Sequence, residues 1–137
     1  MSFEEKLARL AVRVGLNLRE GQEVFLTAHV EQLPLVRAIA REVYRAGGVA
    51  VVPFFGDDEL SRLRFELASE AALEYAPEWL YRAIGERLES GEMARLAVVG
   101  EDPRLLAGFP PERVGRAMQA HARAYRPVLL PISRFAT

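Results

Sequence analysis

"EVFLTAHVEQLPLVRAIAREVYRAGGVAVVPFFGDD", residues 23–58, decides the fold. Its first eight residues, 23–30, form a strand-like apolar run without clean alternation, the pattern of a strand covered on both faces. Leu33, Val36, Ile39, Ala40 and Val43 then recur at helical spacing. Pro34 suits the first turn of that helix, and Gly47-Gly48 ends it after Ala46. A second apolar run, Val49–Phe55, follows at once. Strand, helix and strand in this order predict two parallel strands joined by a right-handed crossover. Pro53 cannot donate to a sheet ladder, so it places a sheet edge or a strand end there.

The flanking sequence extends the pattern. Ser2 and Glu5 form a capping box, after which Phe3, Leu7, Leu10, Ala11 and Val14 fall on one helical stripe. "LREGQ" makes a turn around Gly21. Residues 57–68 read as a helix with Leu60, Leu63 and Leu67 on one side. Pro77 opens another, whose Leu80, Ala83, Ile84 and Leu88 share a face until Gly91. "ARLAVVG", 94–100, is a third strand, Asp102-Pro103 starts a short turn, and Pro110-Pro111 opens a long helix through about Tyr125.

The order α-β-α-β-αα-β-α predicts an α/β fold, a three-layer α/β/α arrangement with a small, mostly parallel sheet. Three strands are few, and "RPVLLPISRFAT" stops where a further strand would begin. The sheet therefore reads as part of a larger one.

The totals agree with one globular domain over 1–137. A chain of 137 residues buries roughly two-thirds of the surface its unfolded form exposes. A net charge of −1 gives no electrostatic case for nucleic acid or an anionic membrane. The absence of cysteine excludes disulfides, thiolate nucleophiles and Cys-ligated zinc. "MSFEEKLARL" is amphipathic with Glu4 and Glu5 near its start, lacking the basic and apolar regions of a signal peptide, and no apolar run approaches the ~20 residues of a membrane span. A cytoplasmic protein is expected. Seventeen of the eighteen basic residues are arginine and Asn17 is the only asparagine, a bias that fits a thermophile or a GC-rich genome.

Ligands of open parallel sheets bind beyond the carboxyl ends of the strands. Ala28-His29-Val30-Glu31, Gly56-Asp57-Asp58-Glu59 and Gly100-Glu101-Asp102 lie there, enough carboxylates on paper for magnesium and a histidine for zinc. Helix capping is the stronger reading of the acids. Asp57 is placed to cap the helix that follows, Asp58 and Glu59 to complement its dipole, and Asp102 precedes a proline in the same way. His29 and His121 share no zinc-ligand spacing. The five serines lack a nucleophile elbow, and no dinucleotide fingerprint or Walker loop is present. Arg113, Arg116, Arg123 and Arg126 make the last helix locally basic, the pattern of a solvated face.

The whole chain nevertheless resembles the N-terminal domain of the thermophilic metallo-aminopeptidases of the aminopeptidase T and aminopeptidase S type. The resemblance is carried by "FEEKLARLAVRVGLNLREGQEVFLTA", "FFGDDELSRLRFELA", "APEWLYRAI", "ARLAVVGEDPRLLAG" and "RAYRPVLLPISRFAT". It implies an exopeptidase that removes N-terminal amino acids, uses two divalent metal ions (zinc or cobalt) and works as a homodimer. It also implies that the ligands lie in a C-terminal metal-binding domain absent from these residues, so no catalytic or metal-binding residue is expected here and the chain alone should be inactive. Within it, Asp57, Asp58 and Arg62 are candidates for facing the missing domain or lining the wall of the cavity.

The expected partners are that missing C-terminal domain or a full-length homologue, and a second copy, through swapping or pairing of an exposed strand edge. Two alternatives belong to other classes. One is a stand-alone α/β binding or interaction module without activity; the other is a small magnesium enzyme using Asp57, Asp58 and Asp102.

Overall fold

The computed structural model describes residues 2–98 and 104–135. The chain divides into two compact units, Met1–Gly56 with Ser90–Gly100, and Asp57–Glu89 with Glu101–Thr137.

The first unit holds the sheet. Strand β1 (Glu23–His29) lies at its centre, with β2 (Ala50–Gly56) on one side and β3 (Met93–Ala97) on the other. Both pairs are parallel, in registers that set Glu23 opposite Ala50 and Met93. This is the small, open, helix-flanked sheet of the α/β class, with every strand pair parallel. As its unbroken apolar run predicted, β1 is buried on both faces. Val24, Leu26 and Ala28 belong to a core shared with the helices of this unit. Phe25 points to the opposite face, buried edge-on against Phe54 at 5.0 Å between ring centres. Burying each large apolar side chain contributes about 1.5–3 kcal/mol.

Helix α1 (Phe3–Leu10) starts on Ser2, whose Oγ accepts the Glu5 N–H at 3.1 Å, and continues into a π-helical turn, Ala11–Gly15. Helix α2 (Leu33–Arg45) carries Pro34 in its first turn, buries Val36, Ile39 and Val43 as predicted, and ends at Gly47, which has φ +92°. α1 packs on α2, and α2 on β1 and β2.

The face of α1 that is buried is not the apolar stripe read from the sequence. Phe3 (75% exposed), Leu10 (58%) and Val14 (70%) face outward, whereas Ala8 and Val12 are fully buried. The cause lies in α2. Its Glu42 side chain is buried at the contact and pairs with Arg9, Arg13 and Arg45 at 4.0, 3.5 and 3.0 Å. Turning α1 so that small Ala8 and Val12 meet α2 brings both arginines to that carboxylate.

Proline 53 sits on β2, an outer strand of this sheet, as its missing N–H requires. Two residues earlier the Val51 N–H donates to the Tyr44 hydroxyl at 3.2 Å.

The second unit is helical: α3 (Asp58–Leu67), α4 (Glu70–Glu74), α5 (Glu78–Glu89) and α6 (Pro111–Phe135). The stripe predicted for α3 also faces outward, with Leu60 and Leu67 65% and 78% exposed. Phe65 is its buried residue, packed near Leu73, Ala117 and Phe109. Helix α4 has no sequence signal beyond its cap, Ser69, which accepts the Ala72 N–H. Arg64 reaches its far end and donates to the carbonyls of Ala72, Leu73 and Tyr75, closing the helix C-terminus.

Two boundaries differ from the expectation. α6 continues past Tyr125 to Phe135, in keeping with the helix that the resemblance implied for its end. The third strand is Met93–Ala97, and the rest of the predicted 94–100 stretch includes residues outside the described ones. α5 and α6 approach closely at Gly85, where an added Cβ would lie 2.5 Å from the Pro127 carbonyl oxygen.

Gly85→Ala must therefore push α5 and α6 apart. Overpacking of this kind costs about 1–3 kcal/mol, and a thermal melt should show the loss; unchanged stability would place the helices further apart than described.

Glu42 gives a second test. Burial pushes its carboxyl up, but the Arg45 hydrogen bond and the charges of Arg9, Arg45 and Arg13 outweigh that and hold it below the ordinary 4.5. A pKa lowered on folding contributes stability that is present above the ordinary value and is lost as pH falls through the depressed one. Glu42→Gln should lower the melting temperature at neutral pH and remove this part of the acid transition, read by melts from pH 7 to pH 3.

Candidate functional site

The carboxyl ends of the strands are the natural place for a ligand in this fold. At the end of β1, His29 is buried and bonded locally. Its Nδ1 accepts the Glu31 N–H at 3.2 Å, while the Gln32 side-chain oxygen accepts the His29 N–H at 2.9 Å. This reciprocal cap joins β1 to α2 through the short turn Val30–Gln32. His29 stands in register with Gly56.

Asp57 follows Gly56 and does what its position before an apolar helix predicts. Its carboxylate accepts the Leu60 N–H at 3.2 Å and caps α3, with Asp58 and Glu59 in the first turn. Arg62 pairs with Glu59 at 3.0 Å, one turn along the same helix. Asp57 and Asp58 are half-buried and Arg62 is exposed. Asp102, the third acid of the magnesium reading, lies with Gly100 and Glu101 outside the described residues.

Among the described residues, no group of three or more His, Asp or Glu side chains is placed to hold a metal ion. The described part of the chain thus offers no ligand set that fits a catalytic metal, and no chemical step through one is assigned to its residues. Among them, too, no helix is long and apolar enough to cross a membrane.

Two features were not read from the sequence. In the second unit, His121 is more than a polar residue on a helix. Its Nε2 lies 3.1 Å from the Tyr81 hydroxyl, and Tyr125 stacks on its ring while meeting Tyr81 edge-on. The Tyr81 hydroxyl is pushed up, first by burial and then by Tyr125, against the opposing charge of Arg64. The i, i+4 spacing of His121 and Tyr125 was the available signal, but the Tyr81 partner on α5 is not visible in sequence.

In the first unit a polar cleft of about 350 Å³ opens at the amino ends of β1 and β3, among Arg19, Glu20, Gln22, Ser90, Gly91 and Glu92. Gln22 donates to the Gly91 carbonyl at 2.9 Å across it. Its mixed charges carry no single ligand chemistry, and it lies at the opposite end of the strands from His29.

The comparisons with known proteins extend over nearly the whole chain. The family model of the thermophilic metalloproteases (M29) matches residues 3–136. Aminopeptidase T of Thermus thermophilus is 51% identical over 133 residues, which are 97% of this chain and 32% of that protein. Aminopeptidase AmpS of Bacillus subtilis is 36% identical over 90% of this chain and 30% of its own length. The solved structure of wild-type AmpT from Thermus thermophilus superposes with a TM-score of 0.90 at 50% identity, covering 96% of this chain and 33% of that one. This chain thus spans about a third of the length of the relatives it matches, and corresponds to an N-terminal part of them. The Thermus relatives also support the thermophilic reading of the arginine-rich composition.

Replacing the Asp57 cap tests the assignment of that residue. Asp57→Ala should cost about 1 kcal/mol, measured as a lower denaturation midpoint, and Asp57→Asn should restore most of it.

Proposed function

The chain belongs to the thermophilic metalloprotease (M29) family, and we propose that it is the non-catalytic N-terminal part of an aminopeptidase that removes N-terminal amino acids from peptides. The observation that carries this reading is the family match over residues 3–136, joined to relatives of which this chain spans only about a third. The placement of the strand-end acids supports it: Asp57 works as a helix cap and His29 as a turn cap.

In this proposal the divalent ions, two of zinc or cobalt, belong to the remaining two-thirds of such an enzyme. When bound, a metal pair polarises a scissile carbonyl and supplies a hydroxide. This chain contributes a folded wall, with Asp57, Asp58 and Arg62 turned to the remaining domain and a second copy as a further partner. A cytoplasmic location belongs to the same proposal.

An assay of amino-acid release from chromogenic aminoacyl substrates tests it directly, run on the chain with zinc, with cobalt and with neither. The expected result is no release under any condition. Turnover that depends on stoichiometric metal would overturn the reading and make the strand-end acids a site after all.

A further inference from the structure

Three guanidinium groups crowd one carboxylate where α1 and its π-helical turn meet α2. Arg9 and Arg13 each bring Nε toward the same Glu42 oxygen, Oε2, at 4.0 and 3.5 Å, and Arg45 Nη1 reaches Oε1 at 3.0 Å. The three contacts are unequal. Among the described residues only Arg45 donates a hydrogen bond to Glu42, and the buried Oε2 has no hydrogen-bond partner. Arg9 and Arg13 are therefore held toward Glu42 by charge alone, and their N–H groups are not committed to it. The carboxylate is sunk, 4% exposed, whereas the three arginine side chains are 47%, 52% and 55% exposed.

The charges do not balance. Glu42 neutralises one of the three cations, which leaves two at the surface. α2 makes the excess larger. Glu42 is its only acid, and Arg37 and Arg41, both exposed, precede Arg45 at four-residue spacing. On α1, Glu4 and Glu5 lie in the first turn, where they complement the helix dipole. Glu5, the nearer of the two, is a full turn before Arg9.

We propose that Arg9, Arg13 and Arg45 hold a phosphate dianion on this surface. Its two charges match the two left over, and its oxygens accept from guanidinium N–H groups that Glu42 leaves unused. The part of the relatives that lies outside this chain could instead bring carboxylate side chains to the same place. Phosphate is the better match, because one compact ion carries both charges, whereas carboxylates must be positioned singly. The site stands apart from the aminopeptidase reading, since it needs neither a metal nor the rest of such an enzyme.

Two-dimensional proton–nitrogen NMR of the isotope-labelled chain, following the arginine Nε–H signals, tests it. Sodium phosphate is titrated against sodium chloride at constant ionic strength, so that screening does not change. The Arg9, Arg13 and Arg45 signals should move together and saturate. Those of Arg64 and Arg113, which donate to backbone carbonyls of the second unit, should not move. Arg13→Gln, at an exposed position, should weaken binding about two- to fivefold.

Glu42→Gln separates a binding site from a purely structural cluster. It removes the negative charge that competes with the ligand, so phosphate should bind about threefold tighter and restore part of the stability that this substitution costs. Circular dichroism verifies that both variants fold. Glutarate, standing for carboxylate side chains, should bind more weakly than phosphate. The proposal is overturned by signals that drift alike at every arginine, by binding that Arg13→Gln leaves unchanged, or by weaker binding in Glu42→Gln. Glutarate binding more tightly than phosphate would overturn the choice of ligand.

Discussion

The rest of the first unit depends on β1 being paired on both sides by parallel neighbours. A parallel neighbour cannot be reached by a tight turn, so the chain must leave the sheet and return through a crossover. That requirement explains α2, which carries the chain from the end of β1 back to the start of β2. It also buries β1 on both faces, which is why Val24, Phe25 and Leu26 all disappear from solvent without any polar alternation. Over Glu23–Thr27 that strand pairs with neighbours on both sides, and Val24, Phe25 and Leu26 there are buried apolar side chains. What chemistry the sheet offers is displaced to strand ends, and there the described residues are spent on starting helices.

The same economy runs through the charged residues. Glu42 is buried and ion-paired with Arg9, Arg13 and Arg45, although only its Oε1 accepts a hydrogen bond, from Arg45, and this cluster fits the rotation of α1 on α2. Asp57 closes the amino end of α3, and Arg64 the carboxyl end of α4. Arg113 donates to the Ala68 carbonyl at 2.8 Å, so part of the basic face read on the last helix is tied into the second unit. Charges that suggested a site are in large part connections between elements. The chain corresponds to about a third of the length of its metalloprotease relatives.

Local rules carried the reading of the sequence a long way. Strand–helix–strand over 23–56, the Ser2 and Asp57 caps, and the glycine stops at Gly47 and Gly91 all follow from short-range chemistry, and all are present. What failed was tertiary. Periodicity picked the most apolar stripe of α1 and α3 as the buried one, but burial of α1 was decided by small residues and by Glu42, which lies more than thirty positions away from α1. α4 has only five residues, too few for a period to show, and it is held by Arg64 from another helix. The last helix was read only to about Tyr125, and α6 runs on through Pro127 and Pro131 to Phe135. Of the site, the cap role of Asp57 was legible because it is local. The Tyr81–His121 contact was not, since it joins residues forty positions apart.

The central claim is that this chain gives structure to a metalloprotease without holding its metal. Thermal melts of the purified chain, with a chelator and with zinc or cobalt in excess, test it most directly. A native metal site filled at a hundredfold excess over its Kd would add about 2.7 kcal/mol to stability and raise the melting temperature by several degrees. The account predicts coincident melts with and without metal. A chelator-reversible rise would contradict it and show that these residues form a metal centre of their own.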